Sequence, residues 1–169
     1  MELQLKPMSK GGIPAALSKV EVYRYLNEPG EAESICRDVL AVEPDNQEGL
    51  RLLGLAITDQ FTGDVSDRFV EARNVFQNLS DPYQMVYHLG LLDERKVKAQ
   101  LKAGCSPHTL LPILEEAMKH FEEAARIRPA GNDDAILRWN RCVRLLQSRV
   151  VSQWQKEAEE FDASEGPPV

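Results

Sequence analysis

AMKHFEEAARIRP, residues 117–129, is the stretch whose reading decides the fold. Its apolar residues and its proline stand at Ala117, Phe121, Ala124 and Pro129, in steps of four, three and five. Steps of three and four put side chains on one face of an α-helix, and the proline closes the run. The same steps recur in residues 32–44 as Ala32, Cys36, Val39 and Pro44. A third copy reads Ala72, Phe76 and Leu79, with Pro82 two residues early. A partner pattern of Leu50, Leu53, Gly54 and Ile57 precedes Ala72, and another of Val86, Leu89 and Gly90 precedes Ala117.

Turn signals cut the rest of the chain into similar lengths. They are Asn27-Glu-Pro-Gly30, Pro44-Asp-Asn46, Thr62-Gly-Asp64, Ser80-Asp-Pro82, Gly104-Cys-Ser-Pro107 and the run from Pro129 to Asp133. Asp45 or Asn46, Asp81 and Asn132 suit helix N-caps, Pro82 a first helical position, and Gly104 a helix end. The intervals predict seven helices, at about 14–27, 30–43, 46–61, 66–79, 82–103, 107–128 and 133–160. No segment alternates apolar and polar residues over a β-branched run, so no sheet is expected. The last helix carries one stripe, Ile136, Trp139, Val143, Leu146 and Val150. Pro112 requires the sixth helix either to start nearer 110 or to bend there.

The paired patterns resemble the tetratricopeptide repeat family. Its unit carries a large residue, Leu-Gly and an aromatic on a first helix, then Ala, an aromatic, Ala and Pro on a second. The first helix at 47–59 and the second at 109–129 match best. The first unit is weaker, with Val20 where glycine is usual and Tyr23 kept. The step from the glycine to the first alanine is about 12 residues in the family. Here Gly54 to Ala72 is 18 and Gly90 to Ala117 is 27. Shared between two helices, the longer step adds about two turns to each, so the third hairpin, 82–128, is expected to protrude. Its tip would present Arg95, Lys96, Lys98, Lys102 and the loop from Gly104 to His108. The resemblance implies an all-α fold, a right-handed α-solenoid of about three such hairpins plus a C-terminal capping helix at 133–155. Residues 1–12 read as a flexible leader, 13–155 as the repeat domain and 156–169 as an acidic, disordered tail.

Composition narrows the function. The chain has 169 residues, enough for one domain with a sizeable core. The net charge is −7, of which the tail from Lys156 to Val169 contributes −4. An acidic body argues against a role that neutralises nucleic-acid phosphates. No apolar run is long enough to span a bilayer and no secretory signal stands at the start, so the expected compartment is the cytoplasm. Cys36, Cys105 and Cys142 are scattered and odd in number, which suits free thiols in a reducing compartment.

The search for chemistry is brief. Cys105 and His108 have a ligand spacing without a second pair, which a zinc site needs. His88 and His120 lack a partner at helical spacing and read as helix-surface or groove residues. Cys36 reads as a buried thiol. Glu115, Glu116, Glu122 and Glu123 read as a solvated outer face. No nucleophile stands with a recognisable base, and no phosphate loop is present. No enzyme activity, metal or cofactor is therefore expected. Arg138, Arg141 and Arg144 recur every three residues, so they spread along one side of the last helix, as a solvated face or a surface for an acidic partner.

What the resemblance implies is a module that binds a helix or extended peptide of another protein. By position on the first helices of each hairpin, Glu21, Arg24, Arg51, Thr58, Asp59, Tyr87, Glu94 and Arg95 are the candidates to line its concave surface. An adaptor or scaffold is the leading reading. A dedicated chaperone, or a regulatory subunit of an enzyme, is the alternative. The expected partner is a protein, not nucleic acid or membrane, with a homo-oligomer possible.

Overall fold

The structure, a computed structural model, describes residues 3–148. Among these residues there are seven α-helices and no strand. They are α1 (Ile13–Tyr25), α2 (Pro29–Val42), α3 (Gln47–Asp59), α4 (Ser66–Gln77), α5 (Pro82–Lys102), α6 (Pro107–Ile127) and α7 (Asp134–Gln147). The expected bounds of the first six lie within two residues of these. The expected last helix, 133–160, is corrected. It stops at Gln147, where Ser148 turns extended and its hydroxyl donates to the Leu145 carbonyl. Residues 149–155 of the expected cap and the acidic tail lie outside the described residues. Of the expected leader, residues 3–9 carry no regular structure and Lys10–Gly12 form one 3-10 turn.

Local chemistry sets the ends. Asn46 Oδ1 accepts from the Gly49 amide at 2.8 Å, and Asp81 Oδ1 from those of Tyr83 and Gln84 at 2.8 and 3.2 Å. Each bond satisfies an amide that a helix start leaves open. Gly104 follows α5 at φ +85°, a conformation that side chains resist. Pro112 sits inside α6, which starts at Pro107, so the later start is not taken.

The chain divides into two compact units, with the boundary at Met85 and Val86 within α5. In the first unit α3 packs against α1, α2 and α4. Its run Leu52-Leu-Gly-Leu-Ala-Ile-Thr58 is buried on every side, as a helix apolar all round must be. The side chains facing it include Val20, Ala32, Cys36, Val39, Ala72 and Phe76, all fully buried. In the second unit α7 packs on α6, and the core holds Leu92, Val97, Leu114, Ala117, Phe121, Ala124 and Cys142. Helices α5 and α6 run 21 residues each, against 12 to 14 for α1–α4.

One packing device occurs once in each unit. A Cβ added at Gly54 would lie 2.7 Å from Phe76 Cδ1 and closer still to the ring edge. One added at Gly90 would lie 2.8 Å from Phe121 Cε1. Only glycine admits an aromatic ring against the helix backbone at this range. Helices α1 and α2 also pack together, and Val20 on the first and Cys36 on the second are both fully buried.

A charge network ties α2, α3 and α4 together. The Glu33 carboxylate accepts from Arg37 Nη2 at 2.5 Å, from Gln60 Nε2 at 2.6 Å and from Arg68. Glu71 accepts from both arginines, at 2.5 and 2.6 Å. Partial burial disfavours the ionised Glu33, but the hydrogen bonds from Arg68, Arg37 and Gln60 outweigh it and hold its pKa down to about 2. Its ordinary value is 4.5. Because the folded value is the lower one, the stabilisation is complete above pH 4.5 and is lost as pH falls towards 2. Solvent screening at the exposed side of the network reduces the gain to about 1–2 kcal/mol. Urea unfolding at pH 5 and pH 3 is expected to show that loss in the parent and much less of it in Glu33→Gln. Equal losses would mean the network carries none of it.

Candidate functional site

Four of the eight candidate residues come together in the first unit. Arg24 near the end of α1 donates from Nε to Asp59 Oδ2 at the end of α3, at 2.7 Å. Glu21, one turn earlier on α1, lies 3.9 Å from Arg51 on α3. Arg51 itself is held by Glu48, with Nη2 to Oε1 at 2.5 Å. Helical spacing explains the set: residues three apart on α1 meet a facing row on α3.

A cleft of about 380 Å³ opens beside the Arg24–Asp59 bond. It is lined by Glu21, Arg24, Tyr25, Asn27, Pro29 and Asp59. Glu21, Arg24 and Tyr25 of α1, with Asn27 of the turn that follows, form one wall. Asn27 holds that turn at φ +59°, which asparagine tolerates better than most residues. Tyr25 is 90% exposed. With Val22 and Leu26, 53% and 61% exposed, it makes an apolar stripe at i, i+3 and i+4 on the outer side of α1. Sequence reasoning missed Tyr25, Asn27 and Pro29. The available signal was that α1 carries apolar residues on more faces than one core contact uses: Ile13 and Val20 on one side, Val22, Tyr25 and Leu26 on another. A smaller hollow of about 230 Å³ lies against the start of α3, among Gln47, Glu48, Arg51, Leu79, Ser80, Asp81 and Gln84.

Thr58 stands apart from this face. It is 3% exposed and its hydroxyl donates to the Leu55 carbonyl at 2.9 Å, back into its own helix.

Tyr87, Glu94 and Arg95 lie in the second unit, on α5. Glu94 is 1% exposed and is held by Lys98 from its own helix and by Arg138 of α7, at 3.4 Å. Burial disfavours the Arg138 cation, but its hydrogen bond with Tyr87 and the charge of Glu94 outweigh that and raise its pKa. Arg138 is thus a structural partner, and the arginine row of α7 is not wholly a solvated face. Tyr87 also lies edge-on to His88, with ring centres 5.2 Å apart. Arg95 is half-buried. His88 is buried, and His120 Nδ1 stands 3.3 Å from the buried Asp93 carboxylate, so neither histidine is a plain surface residue. Burial pushes the Cys36 thiol up to about 12 and the Cys142 thiol up to about 11, which leaves both poor nucleophiles. Among the described residues no three potential ligands gather as a metal group, and no helix is long and apolar enough to cross a membrane.

No protein-family model matches the chain, and no curated protein matches it.

Proposed function

We propose that the protein is a binding module of tetratricopeptide-like hairpins, arranged as a short right-handed solenoid, and that it grips a segment of another protein. The repeated Gly–Phe contact, Gly54 with Phe76 and Gly90 with Phe121, supports the hairpin reading. The observation that carries the function is the cleft on α1 and α3. It gathers Glu21, Arg24 and Asp59 beside an exposed aromatic ring, open to solvent. An exposed aromatic next to charged groups is the composition from which protein interfaces draw their anchors. The reading is of an adaptor without catalysis of its own.

A photo-crosslinking amino acid placed at Tyr25 tests this in native cell extract. The expected result is capture of one stoichiometric protein. The same probe at Val70, exposed on α4, is expected to capture it far less. Equal capture from both positions, or none at position 25, would overturn the assignment of the face.

A further inference from the structure

We propose that the α1 face of the first unit docks a basic amphipathic helix of its partner. The partner's apolar residues would lie on Val22, Tyr25 and Leu26, and one Lys or Arg side chain would enter the cleft. The inference rests on the binding-module reading and names the chemistry of its partner.

The apolar half of the argument is the stripe. Val22, Tyr25 and Leu26 are each more than half exposed and share one side of α1. Spacing of three and four is the register in which one helix receives the apolar anchors of another. Leu3 and Leu5 of the described leader are themselves 84% and 93% exposed.

Charge supplies the other half. The cleft holds two carboxylates, Glu21 and Asp59, against one guanidinium, Arg24. Arg24 is engaged with Asp59 at 2.7 Å, so its charge is already matched. Glu21 is 53% exposed, and Arg51, the cation that faces it from α3, lies at 3.9 Å and is held more closely by Glu48. One negative charge is left over at the mouth. Tyr25 stands next to it, and its ring face can receive a cation as well as an apolar stem. The surrounding unit repeats the sign: residues 1–85 hold eight Lys and Arg against fourteen Asp and Glu, a net −6. Such a field draws in a basic segment and repels an acidic one. Residues 86–169, by comparison, hold twelve basic and thirteen acidic side chains, a net of only −1. The preference for a basic partner therefore belongs to the first unit.

The test uses the full chain and two synthetic amphipathic helices with one leucine pattern, the first flanked by Lys and Arg, the second by Glu. Amide shifts locate binding and fluorescence anisotropy measures it. The basic helix is expected to move the amides of residues 21–27 and 59, and the acidic helix to leave them in place. Glu21→Lys is expected to weaken binding about tenfold. Asp38→Lys, the same charge change at an exposed site on α2, is expected to weaken it less than about twofold. Tyr25→Ala is expected to weaken it several-fold at unchanged melting temperature, since the ring is exposed. Equal losses from Glu21→Lys and Asp38→Lys would show bulk attraction only and overturn the proposal. Binding of the acidic helix at the same amides would overturn it too, while leaving the binding face in place. No shift with either helix would overturn it as well, and capture at Tyr25 in extract would then decide separately whether the face binds anything.

Discussion

Gly54→Ala is expected to destabilise the first unit by about 3 kcal/mol. The sign is informative. In an exposed helix the same change stabilises by about 1 kcal/mol, because alanine restricts the unfolded chain and favours the helix. Here the new methyl would lie within 2.7 Å of three atoms of the Phe76 ring, which is fully buried. The ring cannot swing out to water, so α3 and α4 must move apart or the ring must leave its rotamer. A loss of that size lowers the melting midpoint of a domain this small by more than about 10 °C. Phe76→Leu is the complement. Alone it leaves a void, and combined with Gly54→Ala it makes room for the methyl. The double variant is expected to lose about 1–2 kcal/mol less than the two single losses added. Hydrogen exchange should place the loss in α3 and α4. A Gly54→Ala variant as stable as the parent would mean the close approach is not a constraint of the fold.

Glu94→Ala is expected to cost the second unit about 2–3 kcal/mol. The Glu94 side chain is 1% exposed and takes Lys98 from one side and Arg138 from the other. Its removal leaves a void and takes the partner charge from Arg138, which is only 37% exposed. The cations can turn partly to water, which keeps the loss below that of a fully buried pair. Glu94→Gln keeps the shape and drops the charge, so it should lose about half as much. Lys119→Ala breaks only the exposed pair with Glu116 and should leave stability unchanged. Urea midpoints separate the three. If Glu94→Ala kept full stability and instead weakened partner binding, Glu94 would belong to the gripping surface, as its sequence position suggested.

The sequence alone determined the helices, because their determinants are local. Asn46 and Asp81 cap the helices that follow them, Pro82 and Pro107 begin them, and the three- and four-residue spacing marks the faces that α2, α4 and α6 bury. The pairing of the Gly54 helix with the Phe76 helix, and of the Gly90 helix with the Phe121 helix, was implied by the resemblance to tetratricopeptide repeats, in which a glycine on the first helix lets the second approach, and both close approaches are present. The face nominated by position was legible only in part. Glu21, Arg24, Arg51 and Asp59 do meet, yet helical register alone cannot say how deeply a side chain sits. Thr58 and Glu94 were nominated for the surface by position and are buried all the same. The threonine hydroxyl is satisfied by its own helix, and the glutamate by Arg138, a residue 44 positions away. The cleft was invisible for the same reason, although the apolar stripe of α1 beside it was not. A cleft is the space left between elements distant in sequence, here the end of α1 and the end of α3, joined by the Arg24–Asp59 bond across 35 residues. Local propensity writes the helices, and long-range packing alone decides which of their side chains meet water.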